Sequence, residues 1–157
     1  TAYDDFYPSG TEPKEPNITA LLEPKKLKWK NHKSSGMLIP SKWNKQEFDS
    51  VDSQWQKQRR EMNSKIAELK KTMADEREIA KAEAEYAAKD KEHSLWVDSY
   101  LKKDPAYGKV GAFEGAGYAS KGLYRPMVDC IMFTKGKKPY CKVCEKAVLR
   151  MIEYYTE

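Results

Sequence analysis

From Gln54 to Lys91 the chain is dominated by Ala, Glu, Lys, Gln, Arg and Met, all good helix formers, and no Gly or Pro interrupts residues 41–104. Trp55, Met62, Ile66, Leu69 and Met73 follow one another at spacings of 7, 4, 3 and 4. This is the a/d stripe of a helix that packs along one seam. Beyond Ile79 the apolar positions thin to Ala80, Ala84, Ala87 and Ala88, then return at Leu95, Trp96, Tyr100 and Leu101. A single helix over the whole block would extend on the order of 95 Å at 1.5 Å per residue, out of proportion to a small domain. The pattern therefore predicts two antiparallel helices, turning within Thr72–Glu78 and packed mainly on each other.

The flanks read differently. Residues 1–40 carry Pro8, Pro13, Pro16, Pro24 and Pro40, and proline fixes φ and removes a donor, so an irregular arm is expected. Its Tyr3, Phe6, Tyr7, Ile18, Leu21, Leu22, Leu27 and Trp29 need a surface to lie on, and that surface is not evident from the arm itself. Pro105 ends the helical pattern. Gly108, Gly111, Gly115, Gly117 and Gly122 then fall among Tyr107, Phe113, Tyr118 and Tyr124, which predicts a loop needing positive φ or close backbone approach. The spacing is not G-x-G-x-x-G, and dinucleotide binding is excluded. Val143, Ala147, Val148, Met151, Ile152 and Tyr155 lie on one face of a predicted C-terminal helix.

Charge changes the picture little. The net charge of +5 over 157 residues sits mostly in residues 105–157, where nine Lys/Arg face five Asp/Glu; residues 41–104 carry fourteen of each. Lys135-Gly136-Lys137-Lys138 is the one dense basic cluster and reads as a solvated turn, so no nucleic-acid partner is expected. No apolar run approaches the length of a membrane span. Thr1–Phe6 have neither a basic nor an apolar leader region, so no signal peptide is expected in them.

Candidate chemistry begins with three cysteines, Cys130, Cys141 and Cys144. Cys141-x-x-Cys144 suits a zinc knuckle, a redox pair or one half of a disulfide. A closed structural zinc site needs four ligands, and His32, His93 or a carboxylate would have to complete it at no familiar spacing. A disulfide from Cys130 to Cys141 or Cys144 is the preferred expectation, with zinc ligation and free thiols as the alternatives. His32 and His93 stand in polar contexts and read as solvated. Asn17-Ile18-Thr19 matches a glycosylation sequon. No nucleophile elbow or P-loop is present, and the chain shows no complete active site.

Longer words carry more information. Phe113-Glu114-Gly115-Ala116-Gly117-Tyr118-Ala119-Ser120-Lys121-Gly122-Leu123-Tyr124-Arg125-Pro126, Asp129-Cys130-Ile131-Met132 and Tyr140-Cys141-x-x-Cys144 resemble the C-terminal part of the bacterial IgA-peptidase family of zinc metallopeptidases. Asp5-Phe6-Tyr7-Pro8 and Glu15-Pro16-Asn17-Ile18-Thr19 resemble the stretch that follows the family's zinc helix. The H-E-x-x-H of that helix does not occur in these 157 residues.

The resemblance implies an α+β, metzincin-like zinc peptidase catalytic domain of which this is the C-terminal portion. Residues 1–40 would be its arm, 41–104 an inserted helical hairpin, and 105–157 a Gly-rich loop, Met-turn and terminal helix. It implies zinc held by an upstream part of the same domain, a protein or peptide substrate (immunoglobulin A or other glycoproteins), and a secreted, periplasmic or cell-surface location. Met132 would be the Met-turn residue, Tyr124 and Arg125 oxyanion or substrate contacts, and Glu114, Gly115 and Gly117 the substrate loop, with no metal ligand in this chain. The competing expectation is a helical protein-interaction module with a Cys-clasped cap and no catalysis.

Overall fold

The computed structural model describes residues 11–156. Tyr3, Phe6, Tyr7 and the Asp5–Pro8 word therefore lie outside the described residues. The chain divides into two compact units, Asn44–Tyr100 and the remainder. Its elements are a 3-10 turn at Lys30–His32, helix α1 (Lys45–Lys71), helix α2 (Glu76–Lys102), strands β1 (Phe113–Ala116) and β2 (Ala119–Arg125), and helix α3 (Lys142–Thr156).

Within the helical unit, α1 and α2 run antiparallel. The seam is aromatic at its open end: Phe48 stacks on Trp96 with centroids 5.8 Å apart, and Trp55 stacks on His93 at 5.0 Å. Farther along, Arg59 Nε donates to the Tyr86 hydroxyl at 3.3 Å. Lys70 pairs with Glu83 at 2.7 Å near the turn. The α1 stripe packs as its spacing predicts at Trp55, Met62, Ile66 and Leu69, whereas Met73 is 91% exposed. On α2 the expected face holds at Trp96, Tyr100 and Leu101, which are covered, and fails before them. Ala80, Ala84, Ala87, Ala88 and Leu95 are exposed, and Ile79, Ala82, Tyr86, His93 and Val97 are covered instead. His93 and Tyr86 share the seam with apolar neighbours, so hydropathy underrates that face. His93 is accordingly not solvated, and its Nε2 lies 3.5 Å from Asp52 Oδ1.

The turn needs neither Gly nor Pro. Ala74 N donates to Leu69 O at 3.0 Å and Met73 N to Lys70 O at 3.3 Å, with Met73 at φ 51°. These two bonds are the Schellman closure of a helix end. Asp75 then starts α2, its carboxylate accepting from Arg77 N at 2.8 Å. A side chain in the left-handed region costs roughly 1–2 kcal/mol.

The other unit is organised around residues 110–112. Trp29 is 1% exposed, and its indole N–H donates to Gly111 O at 2.6 Å. Ser34 N donates to Val110 O, and Val110 N donates back to Ser34 Oγ, both at 2.9 Å. Ser41 N donates to Ala112 O at 2.8 Å, and Ala112 N to Ser41 Oγ at 2.9 Å. The proline-rich arm thus finds its surface inside this chain. Leu27 and Trp29 pack with Val110, Ala112, Val143 and the three cysteines in one core. Farther up the arm, Thr19 forms a two-bond bridge with Tyr124. Asn17 and Thr19 of the sequon are both buried, which removes Asn17 from the accessible surface.

The glycine-rich segment expected as a loop is a β-hairpin. β1 and β2 pair antiparallel, Phe113 with Arg125 and Ala116 with Ala119, with an irregularity between Glu114 and Ala116. Gly117 at φ 56° and Tyr118 at φ 65° form a two-residue connection with both φ positive, the geometry that matches strand twist. Glycine enrichment masked the strands because Gly115 and Gly122 lie inside them, both at positive φ.

Two stability predictions follow from these geometries. Met73→Gly removes left-handed strain from an exposed side chain, so it should stabilise the helical pair by about 1 kcal/mol, read by amide exchange of α1 and α2. At Gly111 an added Cβ would meet Ser41 Oγ at 2.2 Å, so Gly111→Ala should destabilise the other unit by about 1–3 kcal/mol in urea titration.

Candidate functional site

The segment after β2 folds back through Asp129. Its carboxylate receives Lys138 Nζ at 3.0 and 3.2 Å and the Thr134 hydroxyl at 2.5 Å, and Lys138 also donates to Thr134 Oγ1 at 2.7 Å. The Lys138 and Asp129 side chains are 9% and 6% exposed. This buried pair closes the loop 129–138. It brings Cys130 against the start of α3, where Cys141 N–H donates to Cys130 Sγ at 3.1 Å. The sulfurs of Cys130, Cys141 and Cys144 lie within 4.8 Å of one another, all buried.

Sequence reasoning expected a bridge between Cys130 and one of the pair. The structure brings all three sulfurs together, not only one of the pair beside Cys130. Hydrogen bonds from the Cys141 and Cys144 thiols, helped by the Met132 and Cys141 backbone N–H groups, hold the Cys130 thiol well below the usual thiol range. The hydrogen bonds that Cys144 gives to Cys130 and Cys141 push its own thiol up. The odd number of cysteines was the available signal for a three-sulfur arrangement.

The other predicted residues separate. Arg125 is 7% exposed, and its guanidinium is engaged inside the fold. Nε donates to Met127 O at 3.2 Å, Nη2 to Val128 O at 3.0 Å, and Nη1 to Gly115 O. It lies over the Trp43 ring at 4.6 Å. That geometry anchors the hairpin base and corrects the expectation of Arg125 as an oxyanion or substrate contact. Tyr124 is half-buried, and its phenol is raised above its ordinary pKa by burial and by the Glu114 carboxylate, so it stays a neutral donor at neutral pH. Glu114 accepts from Gly122 N at 3.1 Å, which pins the irregular part of the hairpin next to Gly115. Gly117 shapes the tip, where Tyr118 is 83% exposed. Met132 lies in the turn where Phe133 N and Thr134 N both donate to Cys130 O. It is 57% exposed, so among the described residues it floors nothing.

Among the described residues the cysteine trio is the one grouping of three or more His, Cys, Asp or Glu that could hold a metal ion. It has no carboxylate base among its members and does not resemble a water-activating zinc centre.

Removing one partner of the Asp129–Lys138 pair would leave a buried, uncompensated charge. Lys138→Ala should therefore cost about 3–5 kcal/mol, measured by urea unfolding, with the Cys130 segment losing amide protection first.

A search of curated proteins finds no match to this chain. The family model described as IgA Peptidase M64 matches residues 1–152. The words that resemble the IgA peptidases are thus embedded in a match spanning the arm, the helical pair, the hairpin and most of α3. The chain belongs to the IgA peptidase M64 family.

Proposed function

We propose that this chain is the C-terminal part of the catalytic domain of an exported zinc metalloendopeptidase that hydrolyses peptide bonds in proteins. The family match over residues 1–152 carries the reading. Two further observations support it. α3 leaves Val148, Met151, Ile152 and Tyr155 exposed along its apolar face, and Ile131 and Met132 are exposed beside the cysteine-bearing turn. Surfaces of that kind suit coverage by further catalytic-domain chain.

The catalytic zinc and its general base belong, on this reading, to an upstream H-E-x-x-H segment, and no step is derived through that metal. The contribution of these residues is positional. The 113–125 hairpin presents Tyr118 at its tip and the Tyr124 phenol along its length. A neutral phenol donates to the oxyanion that develops when a peptide carbonyl is attacked. Met132, free of contacts that would bury it, packs beneath the upstream histidines without ligating zinc, since a thioether competes poorly with imidazole there. Immunoglobulin A is the substrate that the family description suggests. The helical unit, compact by itself, is an insert that the chemistry does not use.

The test is hydrolysis of casein and of immunoglobulin A by the full-length protein and by this 157-residue chain. Full-length protein should cleave, lose activity to a chelator and regain it with zinc, and the chain alone should be inactive. Tyr124→Phe should lower kcat about 10²–10³-fold. Met132→Leu should cost under about 1.5 kcal/mol of stability, and Met132→Ala about 2–5 kcal/mol together with turnover. Chelator-sensitive turnover by the chain alone would overturn the division of labour. Full-length protein that is inert with zinc, yet binds a protein ligand through residues 44–100, would favour the helical interaction module.

A further inference from the structure

We propose that Cys130, Cys141 and Cys144 together bind one soft divalent cation of zinc's class, the fourth position being completed by water or another donor from solution. Three sulfurs sharing a tetrahedral zinc at Zn–S of about 2.3 Å stand roughly 3.8 Å apart. Here they already lie within 4.8 Å of one another, so closing the site moves each by less than about 1 Å, a change of rotamer scale.

The surroundings fit a metal–thiolate centre. Cys141 N–H already points at the Cys130 sulfur. Cys144 lies in the first turn of α3, where the exposed backbone N–H groups favour negative charge. An open cavity of about 300 Å³, lined by Tyr107, Asp129, Cys130, Tyr140, Cys141 and Lys142 among others, gives a hydrated ion a route to two of the sulfurs. Lys142 adds positive charge at its rim, opposite in sign to a tris-thiolate centre. Thiolates select zinc-class ions over magnesium or calcium, which prefer oxygen.

A disulfide is the weaker account of the same residues. It would join two sulfurs and leave the third buried beside Leu27, Trp29 and Val110, whereas one cation engages all three. On binding, each protonated thiol releases its proton to solvent as its sulfur bonds the metal, with no change of oxidation state. The centre would be a staple. Val143 and Cys144 are the buried residues of α3, so a cation joining Cys144 and Cys141 to Cys130 fixes that helix to the segment after β2.

The experiment uses full-length protein, reduced and stripped of metal, titrated with cobalt(II) alone. Thiolate ligation gives a near-ultraviolet charge-transfer band that histidine and carboxylate ligands do not give, so cobalt bound at a histidine site does not interfere. The expected result is a band that saturates at one cobalt per chain, is abolished by added zinc, and is lost when Cys130→Ser, Cys141→Ser and Cys144→Ser are combined. Because unfolding of that variant would also abolish the band, alkylation of wild-type protein supplies an independent readout. Zinc should slow modification of all three cysteines together, and a chelator should remove the protection. Absence of the band, alkylation indifferent to zinc, or a disulfide among these cysteines in protein isolated without reductant would overturn the assignment.

Discussion

Everything in the unit that carries the candidate site depends on how residues 110–112 are satisfied. This stretch is fully buried, and buried backbone N–H and C=O groups must find partners. The neighbours that answer belong to residues 29–41 and to the turn after β2. Ser34 takes both groups of Val110, Ser41 takes both groups of Ala112, Trp29 donates to Gly111 O, and Pro126 O accepts from Gly111 N at 2.8 Å. Side-chain hydroxyls and an indole N–H do the work that a flanking strand would do elsewhere. Gly111 has to be glycine because a Cβ there would occupy the space of the Ser41 hydroxyl.

That capture fixes the functional residues in turn. With 110–112 held, Phe113 enters the hairpin and Arg125 closes it, donating to Gly115 O across the strands and to Met127 O and Val128 O beyond them. The chain then has one direction left, into the Asp129–Lys138 loop and back to α3. Leu27 and Trp29 of the arm and Cys130, Cys141 and Cys144 of the end meet in one apolar core. A cation in the cysteine trio would reinforce the part of that core from which α3 departs. The exposed apolar side of α3 and the exposed Met132 follow this core along the same stretch of chain.

The helical pair illustrates how far pattern reading reaches. The a/d spacing from Trp55 to Leu69 identifies the packed side of α1, because four apolar residues at helical spacing have one face to share. On α2 the same reasoning chose the covered Trp96, Tyr100 and Leu101 at one end but exposed alanines before them. The seam there runs through Ile79, Ala82, Tyr86, His93 and Val97, and its polar members pack as rings, His93 on Trp55 and Tyr86 against Trp55 at 6.4 Å. The turn was legible only as a place where the pattern changes. Its closure by Met73 in the left-handed region leaves no composition signal, since that conformation is usually marked by Gly or Asn.

By itself the sequence determined the helices, the amphipathic character of α3 and the family, because helix propensity, apolar spacing and idiosyncratic words are properties of neighbouring residues. It left the arm without a surface, read the Gly115–Gly122 hairpin as loop, and assigned Arg125 to chemistry. The tertiary structure decided those points. Whether a glycine lies in a strand, whether a guanidinium faces solvent or three carbonyls, and whether three sulfurs separated by eleven and three positions converge depend on contacts between segments far apart in the chain. Those contacts are set by the buried backbone groups of residues 110–112 and the ion pair of Asp129, and local sequence carries no record of which distant partner will satisfy them.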